Sequence, residues 1–112
     1  MTTELTYDQL LASRGVSLQQ LGLADRALRH ADALIAVEIV RQLRLPILGG
    51  DVYLVCDQRV ELAYANWSCN PRDGEDGAYY VTRSCDEARR YIAAFPRQDD
   101  AEPIFVLVIY RR

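Results

Sequence analysis

A chain of 112 residues, half of them hydrophobic and 26% charged, has the size and balance of one globular domain and not of a disordered segment. Its 13 basic and 16 acidic residues give a net charge of −3, whereas a general nucleic-acid binder normally carries a basic face. The longest apolar run, Ile104 to Tyr110, is far shorter than the ~20 residues that a membrane span needs.

The first half of the chain carries two predicted helices. A short helix is expected over Tyr7 to Arg14. A longer helix is expected over Ala33 to Arg44, because Asp32 can accept hydrogen bonds from the first turn as an N-cap and Pro46 prevents continuation. The apolar positions of this helix share one face at helical spacing: Ile35, Ala36, Ile39, Val40 and Leu43.

A β-hairpin is predicted in the middle of the chain. Gly49 and Gly50 precede the β-rich segment Val52 to Cys56, and two glycines there indicate either positive φ angles or a close backbone approach. A tight turn is the structural role that we predict for both glycines. After a short turn, the segment Arg59 to Tyr64 alternates apolar and polar side chains, as a half-exposed strand does.

The second half of the chain contains a predicted loop, helix and strand. Residues 65–78 are expected to form the loop, and the pattern Ser84-x-x-Glu87 is a capping box that marks the start of the helix. Because Val81 extends the apolar stripe by one turn, the start could also lie nearer Tyr79. The final strand, Ile104 to Tyr110, is apolar on both faces, which indicates that both faces are covered.

These elements predict an α+β fold with a small, mostly antiparallel, three-stranded sheet packed by about three helices. We expect residues 1–112 to form a single domain. One layer of helices would cover one face of the final strand. The other face would then meet the remaining chain, a second copy of the protein or a partner.

Residue types that perform chemistry do not converge at any recognisable spacing. His30 is the sole histidine and is expected at the surface near a helix start. Cys56 and Cys85 are expected in the core and Cys69 in a loop; they lack the close pairs typical of structural zinc. The odd cysteine count indicates a reducing compartment, and the N-terminus lacks a signal-peptide pattern. The sequence therefore predicts no catalytic residue, no metal, no cofactor and a cytoplasmic location.

Several side chains are candidates for a binding surface. Trp67, the sole tryptophan, could be an interface anchor or a lid on the core, and the sequence leaves both interpretations open. Two loop clusters are acidic and would suit a basic partner, unless they are only solvated charges. One cluster comprises Asp73, Glu75 and Asp76, and the other comprises Asp99, Asp100 and Glu102.

The stretch Pro46 to Tyr53, which reads PILGGDVY, followed by Tyr64 to Trp67, resembles the Immunity protein 40 family of bacterial polymorphic-toxin systems. The segment Tyr80 to Ser84, then Ala88 and Tyr91-Ile92, and the terminal apolar strand are similar to that family in order and spacing. The similarity covers about residues 30–110. It implies a non-enzymatic cytoplasmic inhibitor that acts by tight complexation with a toxin.

The resulting hypothesis is a protein that binds and neutralises a cognate toxin domain, without nucleic acid or a membrane. Its candidate toxin contacts are Asp51, Tyr53, Trp67, Asp73, Glu75, Asp76, Tyr80 and Arg83. Two alternatives stay open. One is a homodimeric adaptor or structural module, in which the apolar strand pairs with a second copy. The other is a small ligand-binding domain or enzyme with Asp51, Tyr53 and Arg83 around a pocket.

Overall fold

The computed structural model of the protein describes residues 6–111. Within them the helices are α1 (Tyr7–Arg14), α2 (His30–Gln42) and α3 (Gly77–Ala94). The strands are β1 (Val16–Ser17), β2 (Arg26–Arg29), β3 (Ile47–Cys56), β4 (Arg59–Ser68) and β5 (Glu102–Ile109), and a 3-10 turn, Gln19–Leu21, follows β1. The predicted α+β class and the predicted first helix are confirmed.

The sheet has five antiparallel strands within residues 6–111, so the prediction of three strands is wrong. The strand order is β1-β2-β5-β3-β4. The two strands that we missed, β1 and β2, are two and four residues long. Such short strands do not show an alternation that a sequence pattern can reveal. The position of β5 in the centre of the sheet accounts for the apolar side chains of Ile104 to Ile109 on both of its faces.

The helices pack on one face of the sheet, which we call the helix face. Phe105 of β5 is fully buried there, and its ring lies edge-on to Phe95 with 5.7 Å between the ring centroids. Neighbouring strands contribute Leu28 and Val52 to the same cluster. Burying a large apolar side chain stabilises the fold by roughly 1.5–3 kcal/mol, so this cluster is the main core.

The second helix begins earlier than predicted and presents a different face to the core. α2 starts at His30 with Arg29 at its N-cap, so Asp32 lies in the first turn and is not the cap. Ile35 and Leu43, which we placed on the apolar face of this helix, are 44% and 57% exposed. Small side chains of α2 face the sheet instead and allow the helix to pack closely on it. The buried stripe of α2 is therefore rotated about the helix axis relative to the predicted apolar stripe. The buried residues are Ala33, Ala36, Val37 and Val40.

The third helix also begins earlier than the capping-box pattern predicts. α3 starts at Gly77, and the side chain of Asp76 caps it by accepting the N–H of Ala78 at 2.8 Å. Ser84 lies in the middle of this helix and is fully buried. Its hydroxyl accepts the N–H of Ile47 at 3.0 Å and donates to the carbonyl of Val81 at 3.1 Å. Ser84 therefore joins α3 to the first residue of β3.

Replacing Ser84 by alanine is expected to lower the free energy of unfolding by about 1–3 kcal/mol, because the buried N–H of Ile47 loses its acceptor. Ser13→Ala is the matched control, since Ser13 is exposed in α1 and its hydroxyl only donates to its own helix backbone. We expect that control to change the free energy by less than about 0.5 kcal/mol. Urea unfolding followed by circular dichroism measures both, and equal costs would show that the bond to Ile47 is unimportant.

The middle strands are longer than predicted, so the predicted loop over residues 65–78 begins only after Ser68. Gly49 and Gly50 lie inside β3, and the prediction of a tight turn is wrong. The alternative explanation, a close approach, applies to Gly50. A Cβ atom there would overlap the indole ring of Trp67 and lie 2.5 Å from the carbonyl oxygen of Val106.

The other face of the sheet, which we call the open face, is only partly covered. Leu18, which precedes the 3-10 turn, and Leu21, its last residue, pack over Ile104, so remaining chain covers one part of the open face. Val108 stays 43% exposed, and full coverage of β5 is therefore not observed. Paired residues on neighbouring antiparallel strands point to the same face. By that register the open face also carries Asp51, Leu62, Asn66 and Val108, which are exposed, and Tyr53 and Val106, which are half-buried against the Leu18 cluster.

Candidate functional site

The candidate contact residues do not form one surface. Asp51 and Tyr53 lie on the open face, where Asp51 is exposed and Tyr53 is half-buried. Trp67 lies on the helix face and packs against the main core. The others lie at the start of α3 or in the loop before it: Asp73, Glu75, Asp76, Tyr80 and Arg83. The candidates thus occupy three separate environments.

Arg83 ties the loop before α3 back onto the helix. Its guanidinium donates to both carboxylate oxygens of Glu75, from Nε at 2.6 Å and from Nη2 at 2.8 Å. Nη2 also donates to the carbonyl of Asn70 at 2.8 Å, and Nη1 lies 3.1 Å from the sulfur of Cys69. The Glu75 carboxylate also accepts the backbone N–H of Arg72 at 3.0 Å. Bidentate pairing fixes the geometry, and we call the Arg83–Glu75 pair the loop clamp.

Tyr80 is buried next to the loop clamp. Its hydroxyl donates to the carbonyl of Cys69 at 2.6 Å, and the Arg83 guanidinium lies 5.4 Å from the centroid of its ring. Burial raises the pKa of Tyr80, so the hydroxyl remains a neutral donor at ordinary pH. The polar groups of Tyr80, Arg83 and Glu75 are therefore engaged with one another and with the loop backbone.

The loop clamp should make stability pH-dependent in acid. Hydrogen bonds from Arg83 lower the pKa of Glu75 from 4.5 to about 2. Because the folded-state pKa is depressed, the stabilisation is complete above pH 4.5 and is lost as the pH falls towards 2. Glu75→Gln is expected to destabilise the protein at pH 7, and its difference from wild type should shrink between pH 4.5 and 2. Urea unfolding across that pH range measures the effect.

Glu87→Gln is the control for the loop-clamp experiment. Glu87 is half-exposed and pairs with Arg90 within α3. We expect this substitution to change the free energy of unfolding at pH 7 by less than about 0.5 kcal/mol. If Glu75→Gln were as stable as wild type at pH 7, the loop clamp would contribute nothing to stability.

The loop acids are less available to a partner than the sequence indicates. The Glu75 side chain is only 5% exposed and is paired with Arg83. Asp76 is exposed, but its carboxylate is engaged as the N-cap of α3. Asp73 is exposed, and no ion pair involves it within residues 6–111. The acidic surface of this loop is therefore centred on Asp73.

Trp67 covers the core. Its ring stacks on Tyr91 of α3 with 4.7 Å between centroids and an interplanar angle of 27°. Gly50, on the neighbouring strand, leaves the space that the indole fills. The indole Nε1 is buried and has no hydrogen-bond partner in the described part of the chain. Of the two interpretations of Trp67, these contacts support the lid on the core.

A groove that the sequence did not predict opens at one end of the sheet. It has a volume of about 1130 Å³ and lies between the starts of α1 and α3 and the ends of α2 and β5. Leu43 and Tyr110, which line it, are 57% and 52% exposed. Further apolar walls are Leu45, Pro46, Leu48 and Val81, and the charged lining residues among those described are Asp8, Arg41, Arg44 and Arg111.

Arg44 reaches this groove from an unusual backbone position. The N–H of Leu45 donates to the carbonyl of Val40 at 3.3 Å and that of Arg44 to the carbonyl of Arg41 at 3.0 Å, which is a Schellman motif. Arg44 has a φ of 58° there, where glycine is usual. A side chain in this left-handed conformation costs roughly 1–2 kcal/mol. The sequence hints at this conformation only weakly. No glycine stands between the helix and Pro46, so a residue with a side chain has to take the position with positive φ.

Residues with potential chemistry remain apart. Among residues 6–111, no three His, Cys, Asp or Glu side chains are arranged to hold a metal ion. His30 is half-buried, with its ring edge-on to Phe105 at 6.4 Å. Cys85 is buried as predicted, whereas Cys56 is only half-buried, contrary to our prediction. Cys69 lies in the loop after β4, as predicted, and is buried there. Within the same part of the chain, no helix has the length and apolar character to cross a membrane.

Comparison with known proteins identifies one family. Residues 17–109 match the family model described as Immunity protein 40. Neither the curated proteins nor the solved structures give a significant match. The matched range includes α2, α3 and β2 to β5, so it contains the loop clamp, the open face and most of the groove. By this match over most of its length, the chain belongs to the Immunity protein 40 family.

Proposed function

We propose that the protein binds a cognate bacterial toxin domain in the cytoplasm and neutralises it by direct complex formation, without catalysis. The family implies an immunity protein that acts against a toxin. The observation that supports complex formation is a set of large apolar side chains left exposed on a packed domain. It includes Leu43, Leu62, Tyr64, Val108 and Tyr110.

The candidate contacts divide into direct and indirect roles in this proposal. Asp51 and Tyr53 are proposed as direct contacts, because they lie on the open face beside exposed Leu62. Tyrosine is enriched among the residues that dominate binding energy. Asp73 is proposed as a third contact, since it is exposed and, unlike Asp76, its carboxylate does not cap α3.

The remaining candidates are proposed to act by shaping the surface. The loop before α3 is held by Arg83, Glu75 and Tyr80, and α3 itself is capped by Asp76. Trp67 belongs to β4 and packs that strand against Tyr91 of α3. Substitutions at these positions would weaken toxin binding by loosening the loop or the strand. Their effects on binding should therefore parallel their effects on stability.

The size of the surface is compatible with a stable complex. A standard protein–protein interface takes about 800 Å² from each partner, which is about a tenth of the 7361 Å² that the chain exposes in total. Val108 on the open face and Tyr110 on the groove rim are two residues apart in sequence, so one partner can contact both regions. Such a complex would inhibit by covering or distorting the active site of the toxin.

Co-expression with the neighbouring toxin-like gene tests the proposal. We expect that gene to arrest growth, this protein to restore it, and the two products to co-purify. Asp51→Lys combined with Tyr53→Ala should weaken rescue, whereas Asp99→Lys, at another exposed acid, should not. Rescue without a complex would contradict neutralisation by binding and favour an enzymatic role. A large two-fold dimer of this protein alone, without toxin binding, would favour the adaptor alternative.

A further inference from the structure

The groove carries a charge opposite to that of the whole protein. The chain has a net charge of −3, yet the described lining residues include three arginines, Arg41, Arg44 and Arg111, and one acid, Asp8. A concave wall of one sign concentrates ligands of the other sign. Arg41 and Arg111 are paired with carboxylates, so an occupant of this groove is expected to be acidic where it meets Arg44.

The three arginines differ in their availability to such an occupant. Arg41 is held by Asp86 at 2.9 Å, and Arg111 is paired with Asp8 at 3.2 Å. Arg44 is exposed, and no ion pair involves it in the described part of the chain. It also keeps its side chain at a left-handed position that favours glycine. Arg44 is thus the free cation of the groove among the described residues.

Apolar side chains surround this cation. Leu43 precedes Arg44 and is exposed at the rim, and Tyr110 is exposed at the end of β5. Leu45 and Val81 are half-buried in the walls. A groove of this composition offers desolvated contact to an aliphatic or aromatic side chain and an ion pair at its edge.

We propose that the groove receives an acidic segment of the toxin that carries an apolar anchor, with a carboxylate of that segment paired to Arg44. The identity of the partner rests on the proposed function, while the chemistry of the occupant rests on the groove. The segment lies along the end of α2, with its anchor between Leu43 and Tyr110. The groove would thereby select toxins that carry an acidic segment, whereas the acidic loop at Asp73 would favour basic groups.

Substitution of Arg44 separates binding from folding. Arg44→Gly removes the charge and relieves the left-handed backbone, so the melting temperature should stay equal or rise. The same variant should bind the toxin about tenfold more weakly, as truncation of one member of an interfacial charge pair does. Arg44→Glu should weaken binding further, and the loss should diminish at high salt. Calorimetry or biolayer interferometry with the purified toxin domain measures these changes.

Arg97→Glu is the matched control, because Arg97 is exposed beyond the end of α3 and does not line this groove. It makes the same change in net charge and should leave binding within about twofold of wild type. If both charge reversals weakened binding equally, the effect would be long-range charge and the proposal would be overturned. It would also be overturned if Arg44→Glu bound as tightly as wild type, although the immunity function would then stand.

A second arm tests the groove without the toxin. Short synthetic peptides of alternating Glu and Leu should shift the methyl resonances of Leu43, Leu45 and Val81, and Lys–Leu peptides should not. Arg44→Glu should abolish those shifts. If wild-type protein failed to bind the toxin, the proposed function would fall, while the peptide shifts would still decide the groove. Equal shifts with both peptide types, or none with either, would overturn the groove proposal.

Discussion

Gly50→Ala is expected to lower the free energy of unfolding by about 3 kcal/mol, which is a large fraction of the stability of a small domain. The added methyl would overlap the Trp67 ring and lie 2.5 Å from the carbonyl oxygen of Val106. The ring cannot move freely, because it is stacked on Tyr91, and the carbonyl belongs to the central strand β5. Urea unfolding followed by circular dichroism measures the cost.

Gly77→Ala is the matched control for the Gly50 substitution. A Cβ atom on Gly77 has no described atom within 4 Å, and Gly77 is the first residue of α3, where alanine is favourable. We expect that variant to be as stable as wild type or slightly more stable. If Gly50→Ala were equally harmless, the packing of Trp67 against β3 would be looser than the structure shows.

Trp67→Ala is expected to cost about 3 kcal/mol, because it removes the ring that stacks on Tyr91 and leaves a cavity beside the core. Tyr64→Ala is the control on the same strand. Tyr64 is 90% exposed, so its loss should change the free energy of unfolding by less than about 0.5 kcal/mol. Unfolding is followed by circular dichroism, because the variant lacks the sole tryptophan and cannot be followed by its fluorescence. Unchanged stability of Trp67→Ala would favour the interface-anchor interpretation.

The two substitutions should be coupled. In a Trp67→Ala background the methyl of Gly50→Ala meets empty space where the ring was, and only the contact with the Val106 carbonyl remains. The double variant should therefore be more stable than the sum of the two single costs predicts. Simple additivity would mean that the strand backbone, and not the indole, requires glycine at this position.

Local pattern predicted some elements correctly and others only roughly. The first helix and the α+β class follow from the short-range spacing of apolar residues, and both are observed in the structure. The start of α3 that the capping box at Ser84 predicts is wrong, because that pattern is also compatible with a buried helical serine. The alternative start near Tyr79 lies close to the observed first residue, Gly77. A buried helical serine is distinguished from a capping serine here by the hydrogen bond that Ser84 accepts from the N–H of Ile47. That bond joins residues far apart in sequence, so the local pattern does not reveal it.

The candidate site divides in the same way. The sequence identified Arg83, Glu75 and Tyr80 as notable, but it could not show that they bind one another across the loop. It also could not show the groove, because residues in or next to five separate elements, α1, α2, β3, α3 and β5, form it. Leu43 illustrates the reason: its spacing is that of the predicted apolar stripe, yet α2 ends at Gln42 and leaves Leu43 exposed at the C-cap.

The sequence by itself determined the first helix, the approximate positions of the later helices and of the three longer strands, and the family resemblance that the match confirms. Hydrophobic periodicity and turn residues act over a few positions, so they can be read directly. Tertiary structure alone decided the five-strand order, the inward role of Trp67 and Arg83, and the positive groove at Arg44. Each of these depends on contacts between distant segments, whose geometry is set by packing of the whole domain.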